Sequence, residues 1–329
     1  MSENVANDFL FGGTEVEDES MSVFDKKTTQ SDGIYRPTLN DAKDKKIGYT
    51  ATIRFLPNIL ENGSQGPNAI EKHIHYVDMK NEPNLAGYYD CNKNHEPDCP
   101  LCTEFWKLKN SNNTIDNEKA ALLKRSTKYY SYVQIIDDPQ HPELVGKIMV
   151  YAYGFTIKEK INSERHGEVS GVPCNIFHLN DGKDFRLIIK EKGGFANYDA
   201  SQFKEVSSVK IYSEKSGKFV VSPTYTIEKD GKKYIIIGYE NDAEKSKKVH
   251  KKIKAFLSEK SVNINDYAAQ KWDQQTLGKV NNILAVLSGN VEYKATQVAS
   301  NTKTDATTTP TSDEFDSTAT DADDFFDLD

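Results

Sequence analysis

Three of the four cysteines fall within twelve residues, in Cys91-Asn-Lys-Asn-His95-Glu-Pro-Asp-Cys99-Pro-Leu-Cys102. A Cys-x-x-Cys knuckle preceded by a third cysteine puts three thiolates on a tight loop. Thiolate and imidazole in a tetrahedron are what zinc takes, so a fourth ligand is expected to be a histidine. Three are near: His73, His75 and His95. Spacing alone favours His95, which lies inside the loop. Cys174, alone in Val172-Pro-Cys-Asn, reads as a packing residue. A zinc deaminase would combine His-x-Glu with a later Pro-Cys-x-x-Cys. Here the knuckle is preceded by Asp98, and three thiolates with one histidine close the shell against water, so the zinc is read as structural. Clustered cysteines of this kind are no disulfide framework, and they point to a reducing compartment.

A second constellation follows. Leu122-Leu-Lys-Arg-Ser-Thr-Lys-Tyr-Tyr-Ser-Tyr132 sets Lys124, Arg125 and Lys128 directly before Tyr129, Tyr130 and Tyr132. Cations hold phosphates while unpaired bases stack on aromatic faces, a sequence-tolerant way to bind single strands. Tyr151, Tyr153 and Phe155 come next, then Phe195 and Tyr198 after Gly193-Gly194. In an alternating strand one set of side chains must face inward, so about half of the Tyr129–Ile136 tyrosines are expected to pack. No Gly-x-x-x-x-Gly-Lys-Ser/Thr loop is present, so no ATP site is expected. The carboxylate clusters sit at the ends of the chain, where nothing preorganises them for metal-assisted hydrolysis.

The charge pattern admits a nucleic-acid binder and, equally, a neutral enzyme with a solubilising tail. The 329 residues carry a net charge of −8, and residues 301–329 alone carry −8. Residues 1–24 hold six acids and no base, which leaves 25–300 at +6. A mildly basic body between acidic ends suits a nucleic-acid binder whose tail competes for its groove. Hydrophobic residues make up 37%, low enough that part of the chain is expected to stay unpacked. No apolar run approaches a membrane span, and Met1-Ser-Glu-Asn-Val has no secretory pattern.

The elements that must position these groups are short strands. Tyr49–Pro57, Ala69–Val77, Tyr129–Ile136, Lys147–Tyr153 and Asp184–Lys190 read as five of them, with short helices at Glu104–Asn110 and Asn117–Lys124. Well-spaced strands with few helices favour a small barrel over a parallel α/β sheet. After Phe203 the chain is lysine-rich: 204–260 holds 14 lysines against eight acids. There Lys218–Thr226 and Lys232–Tyr239 read as a hairpin around Asp230-Gly231, and Asp242–Ser258 as a helix with Val249, Ile253, Phe256 and Leu257 on one face. Asp273–Leu287 reads as another helix, ended near Gly289.

In this order the blocks Ala51-Thr-Ile-Arg-Phe-Leu-Pro57, Cys91–Cys102, Leu123-Lys-Arg-Ser-Thr-Lys-Tyr-Tyr130, Asp137-Asp-Pro-Gln-His-Pro-Glu143, Tyr151-Ala-Tyr-Gly154, Lys160-Ile-Asn162 and Gly194–Phe203 resemble the single-stranded DNA-binding proteins of T-even-type bacteriophages. The resemblance implies a mostly β fold with short helices, an OB-fold core with an inserted zinc-binding subdomain, and a disordered acidic C-terminal tail. It also moves the fourth zinc ligand to a strand upstream of Cys91, Cys99 and Cys102. That makes it His75, ahead of His73 and then His95. Carried over residue by residue, it assigns Arg54, Lys124, Arg125, Lys128, Tyr129, Tyr130, Tyr151, Phe195 and Tyr198 to DNA binding.

The organisation that follows is an N-terminal arm at 1–45 for self-association along DNA and a DNA-binding core at 46–295. Within the core the zinc subdomain takes about 70–106 and the lysine-rich addition 204–260, and the acidic tail is 296–329. The function expected is non-enzymatic: coating and protecting single-stranded DNA during phage replication, recombination and repair, in the cytoplasm of the infected bacterial host. The tail would recruit replication and recombination proteins, and no membrane is involved. The alternative is a zinc-containing enzyme acting on nucleotides or nucleic acid.

Overall fold

The computed structural model describes residues 33–289 other than 45, 61–62, 80–81, 112, 214, 230 and 261. Most of the expected arm and the whole acidic tail therefore lie outside the described residues.

The alternating segments become strands. β1 (Ile34–Tyr35), β2 (Tyr49–Phe55), β3 (Ile70–Val77), β4 (Gly87–Asp90), β5 (Arg125–Asp137), β6 (Ile148–Tyr153), β7 (Lys183–Lys192), β8 (Phe195–Asn197) and β9 (Gln202–Val206) form one nine-stranded sheet. Its main path is β1-β6-β5-β2-β7-β8, with β3 and β4 branching from β5 and β9 from β7. All of the strand pairs are antiparallel except β1 with β6. Four further strands make two hairpins, β10 (Lys210–Ser213) with β11 (Lys218–Val221), and β12 (Thr224–Lys229) with β13 (Lys232–Ile237). Among the described residues there are five α-helices, α1 (Pro100–Lys109), α2 (Thr114–Ala121), α3 (Phe155–His166), α4 (Ala243–Ser258) and α5 (Gln274–Leu287), and four single 3-10 turns. The protein is mostly β.

Three local outcomes differ from the sequence reading. The expected first arm of the hairpin, 218–226, splits at Ser222-Pro223, because proline has no N–H for a ladder and the chain changes partner there. α3 was not foreseen, although Ile157 and Ile161 sit at i,i+4 and Gly167 ends the helix at φ 74. The ordered core starts before residue 46: β1 is buried and lies beside β6.

Three apolar clusters hold the molecule together. The first fills the curl of the sheet, with Tyr49, Ile53, Phe55, Val133, Ile135, Tyr151, Phe185 and Leu187. The Asp137-Asp138-Pro139 stop acts here as a polar clasp. Asp138 accepts from the Tyr35 hydroxyl at 2.8 Å and from the Tyr49 hydroxyl, while its other oxygen accepts from the amides of Gln140 and His141 at 3.0 and 3.1 Å. That satisfies a carboxylate that is costly to bury alone. The second cluster joins Leu101, Leu108 and Leu123 to Val280, Ile283 and Leu287 of α5, across the cysteines. The third lies on the opposite face of β5 and β6, where Ile253, Phe256 and Leu257 of α4 cover Tyr132 and Val150.

Candidate metal centre and nucleic-acid cleft

The knuckle is built by Cys99 as the cap of α1 and Cys102 in its first turn, with Pro100 between them at a position where a missing N–H is harmless. Cys91 follows β4 directly, and its amide is hydrogen-bonded to the carbonyl of His73. His75 lies on β3, fully buried. His75 Nε2 is 3.5 Å from the sulfurs of both Cys99 and Cys102, and the Cys91 and Cys102 sulfurs are 3.6 Å apart. All four ligand atoms lie within 4.8 Å of one another. Edges of about 3.8 Å between sulfurs and about 3.6 Å between sulfur and nitrogen are what a tetrahedral zinc shell requires.

The protonation chemistry favours a cation here. Burial acts to lower the His75 pKa, but hydrogen bonds with Cys91 and Cys99 outweigh it and lift it to about 9. Hydrogen bonds from Cys102 and Cys91 hold Cys99 well below the usual thiol range. The bonds that Cys102 makes with Cys91 and Cys99 push it well above that range. His75 Nδ1 is 2.7 Å from the carbonyl oxygen of Leu123, so it carries a proton and donates it, which leaves Nε2 as the ring atom that faces the sulfurs. This buried cluster can hold a metal ion.

The other two histidines are occupied elsewhere. His73 meets Thr127 Oγ1 at 2.9 Å, and the exposed His95 meets the carbonyl of Ala269 at 3.0 Å. The spacing preference for His95 is thereby overturned: the loop turns its ring outward, while β3 carries His75 inward. The module also takes in more chain than 70–106, since Leu123 and α5 pack on it.

A cleft of about 550 Å³ opens between β5, β6 and α3. Tyr129 and Tyr153 line it, stacked at 5.7 Å and 25°. Lys158 and Arg165 of α3 line it too, with Asn68, Glu71 and Asn175. Lys158 sits 5.0 Å above the Phe155 ring and 2.9 Å from Glu159. The Tyr129 and Tyr153 rings are 8% and 5% exposed and belong to the first cluster, so they form the floor of the cleft while its cations and amides suit a phosphate backbone. Sequence reasoning missed Lys158 and Arg165 because the helix that carries them was missed.

The expected DNA-binding residues do not share one surface. Tyr129 is in the cleft. Lys124 is exposed, and Arg125 is half-buried opposite His75 in the β3–β5 register. Lys128 and Tyr130 point to the other face of β5, Lys128 opposite Lys72 and Tyr130 stacked on Tyr267 at 5.4 Å. Phe195 on β8 is 42% exposed, and Tyr198 packs partly on the first cluster.

Two assignments are corrected by burial. Tyr151 is 2% exposed and belongs to the core. Arg54 is 1% exposed, 3.4 Å from Asp184, and donates to the carbonyls of His178 and Ser207 at 2.9 and 3.0 Å. Burial lowers its pKa, Asp184 opposes that, and no face is left for a phosphate.

The family model described as gp32 DNA binding protein like matches residues 48–287. The single-stranded DNA-binding protein of Enterobacteria phage T4 is 32% identical over 171 residues, which cover 50% of this chain and 54% of the relative. The single-stranded DNA-binding protein of Enterobacteria phage T2 matches to the same extent. The chain thus spans about half the length of the curated relatives it matches. No described helix is long and apolar enough to cross a membrane.

Proposed function

The chain belongs to the gp32 DNA-binding-protein-like family, and we propose that it binds single-stranded DNA without catalysis, coating and protecting unwound strands during phage replication, recombination and repair. The observation that carries this reading is the cleft in which the Tyr129–Tyr153 stack faces Lys158 and Arg165. The cations take phosphates above an aromatic floor, so affinity is broad in sequence and steep in salt. Lys124 and Arg125 extend the positive rim at the start of β5.

The core is read as an OB-type barrel. Support comes from the antiparallel chain of β2, β5, β6 and β7, from the helix α3 between β6 and β7, and from the metal module inserted between β2 and β5. The ion is read as one structural zinc on His75, Cys91, Cys99 and Cys102. A closed four-ligand shell has no open position for water, which weighs against the enzyme alternative. Self-association through the N-terminal arm and recruitment of replication and recombination proteins by the acidic tail complete the proposal, with the host cytoplasm as the setting.

Titration with poly(dT) at several salt concentrations, read by tyrosine fluorescence, tests the function. Saturable quenching at a fixed number of nucleotides per chain, with no turnover of the DNA, is the expected result. Absence of quenching at low salt refutes it. Matched single-stranded RNA and duplex as competitors set the preference among nucleic acids.

A further inference from the structure

Glu164 stands where an apolar residue belongs. Ile157, Ile161 and Glu164 follow one another at i, i+4 and i+7, a single face of α3, and all three are buried. The two isoleucines join the first apolar cluster. The carboxylate of Glu164 accepts instead from Lys183 Nζ at 2.6 Å, and Lys183, the first residue of β7, is buried as well. The backbone of Glu164 is engaged too. Its carbonyl accepts from the amide of Gly167 at 3.2 Å, at the end of the helix, and from the amide of Cys174 at 3.0 Å. Between those two residues the chain doubles back closely, so that a Cβ on Gly167 would lie 2.7 Å from the nitrogen of Pro173.

What this residue joins is one wall of the cleft. Arg165 is its neighbour in the chain, and Asn162, Pro173, Cys174 and Asn175 line the same cleft. The side chain of Glu164 ties the last turn of α3 to the sheet, while its carbonyl ties in the returning loop. A buried ion pair is a poor source of stability, because desolvation offsets most of its attraction. Direction is what it supplies. The apolar contacts of Ile157 and Ile161 are non-directional, whereas a charge-assisted hydrogen bond fixes both distance and angle. Lys183 also neutralises the Glu164 carboxylate, which would otherwise repel a phosphate arriving at Arg165.

We propose that Glu164 and Lys183 are positioning residues for DNA binding, whose buried pair holds Arg165 and the 173–175 loop at the geometry that a phosphate backbone needs. Both are too deeply buried to meet DNA themselves. The assignment rests on the cleft reading under the proposed function and deepens it, by naming what keeps Arg165 in place.

The test separates position from stability. Replacing a buried ion pair by uncharged side chains of similar size is often neutral or stabilising. A full-length Glu164→Gln/Lys183→Met variant should thus keep the wild-type denaturant midpoint, and a purely structural pair would then leave DNA binding unchanged. Instead its salt slope on poly(dT) should fall by about 0.7, the amount lost in Arg165→Ala. Adding Arg165→Ala to the double variant should remove nothing more. A wild-type slope in the folded double variant overturns the assignment, as does a further fall of about 0.7 on adding Arg165→Ala. Should the double variant not fold, Lys183→Met alone is measured against the same expectations, since Glu164 can then take up a proton. A wild-type slope in Arg165→Ala itself overturns the cleft reading, and no binding by the wild-type protein overturns the proposed function, each taking this assignment with it.

Discussion

His75 donates its Nδ1 proton to the carbonyl oxygen of Leu123 at 2.7 Å, and Lys124 and Arg125 are the next two residues of the chain. One hydrogen bond therefore connects the metal cluster to the start of the basic stretch. The imidazole that faces the sulfurs through Nε2 fixes the backbone from which β5 sets out.

Metal analysis of the purified protein should give one zinc per chain. A structural site contributes directly to folding, so chelation should lower the melting temperature markedly. His75→Ala should lose the metal, while His73→Ala and His95→Ala keep it. Full metal content in the His75 variant would remove that residue from the shell.

Lys158→Ala and Arg165→Ala should each weaken binding to all single strands alike. Each should reduce the salt slope by about 0.7, the amount expected for one lost phosphate contact on a single strand. Lys124→Ala and Arg125→Ala should do the same if the rim runs onto β5. An unchanged slope in the Lys158/Arg165 double variant would place the DNA path elsewhere.

Arg54→Ala should behave as a folding variant. Removing it leaves Asp184 buried with Lys210 as its remaining ionic partner and strands the carbonyls of His178 and Ser207. Breaking a buried pair of this kind costs about 3–5 kcal/mol. Denaturant unfolding should show the loss, and the salt slope of the surviving folded protein should match wild type.

The sequence conveyed chemistry better than depth. The cysteine knuckle was legible because ligand spacing is local, and β5 because its alternation runs for a dozen residues. His73 and His75 could not be separated by pattern, since residues two apart share a face of a strand. What separates them is how far along β3 each lies: His75 is the last residue of β3 paired with β5 and reaches the sulfurs, while His73 stops at Thr127. Arg54 reads as a surface cation in any local window. Its burial depends on Asp184 and Ser207, far along the chain, which no spacing rule connects. The tyrosines of β5 were expected to be half packed. Instead both faces are covered to some degree, because α4 and the turn at Ile264–Tyr267 fold back over the far one.

Acid should weaken the two C-terminal helices through their caps. The amide of Lys245 holds Asp242 below the usual carboxylate range, and the amide of Thr276 does so for Asp273. A depressed folded-state pKa contributes stability above the unfolded value, and that stability is lost as pH falls through the folded one. Both groups are exposed, so the effect is small. Asp273→Asn keeps the hydrogen-bond acceptor and should flatten the fall in melting temperature below about pH 4.

Deleting 301–329 should tighten DNA binding, chiefly at low salt. A segment of −8 tethered to a basic body competes for the same cations at high effective concentration. The tip, Asp323-Asp-Phe-Phe-Asp-Leu-Asp329, combines steering acids with aromatic anchors and is the part expected to engage partner proteins. Equal affinity of full-length and truncated proteins at every salt concentration would dismiss the competition.

The seating of α5 on the cysteine module has a consequence for synthesis. Val280, Ile283 and Leu287 close the apolar side of a knuckle whose thiols lie at 91–102, and Lys119 Nζ holds the Leu287 carbonyl at 2.8 Å. A ribosome makes the thiols well before it makes this lid, and at about 5–20 residues per second the interval is on the order of ten to forty seconds. Throughout that time the nascent chain offers three sulfurs to solvent with their cover still unmade. All four candidate ligands, from His75 to Cys102, are made before α5, so a metal captured then would be held without its apolar cover until α5 is made.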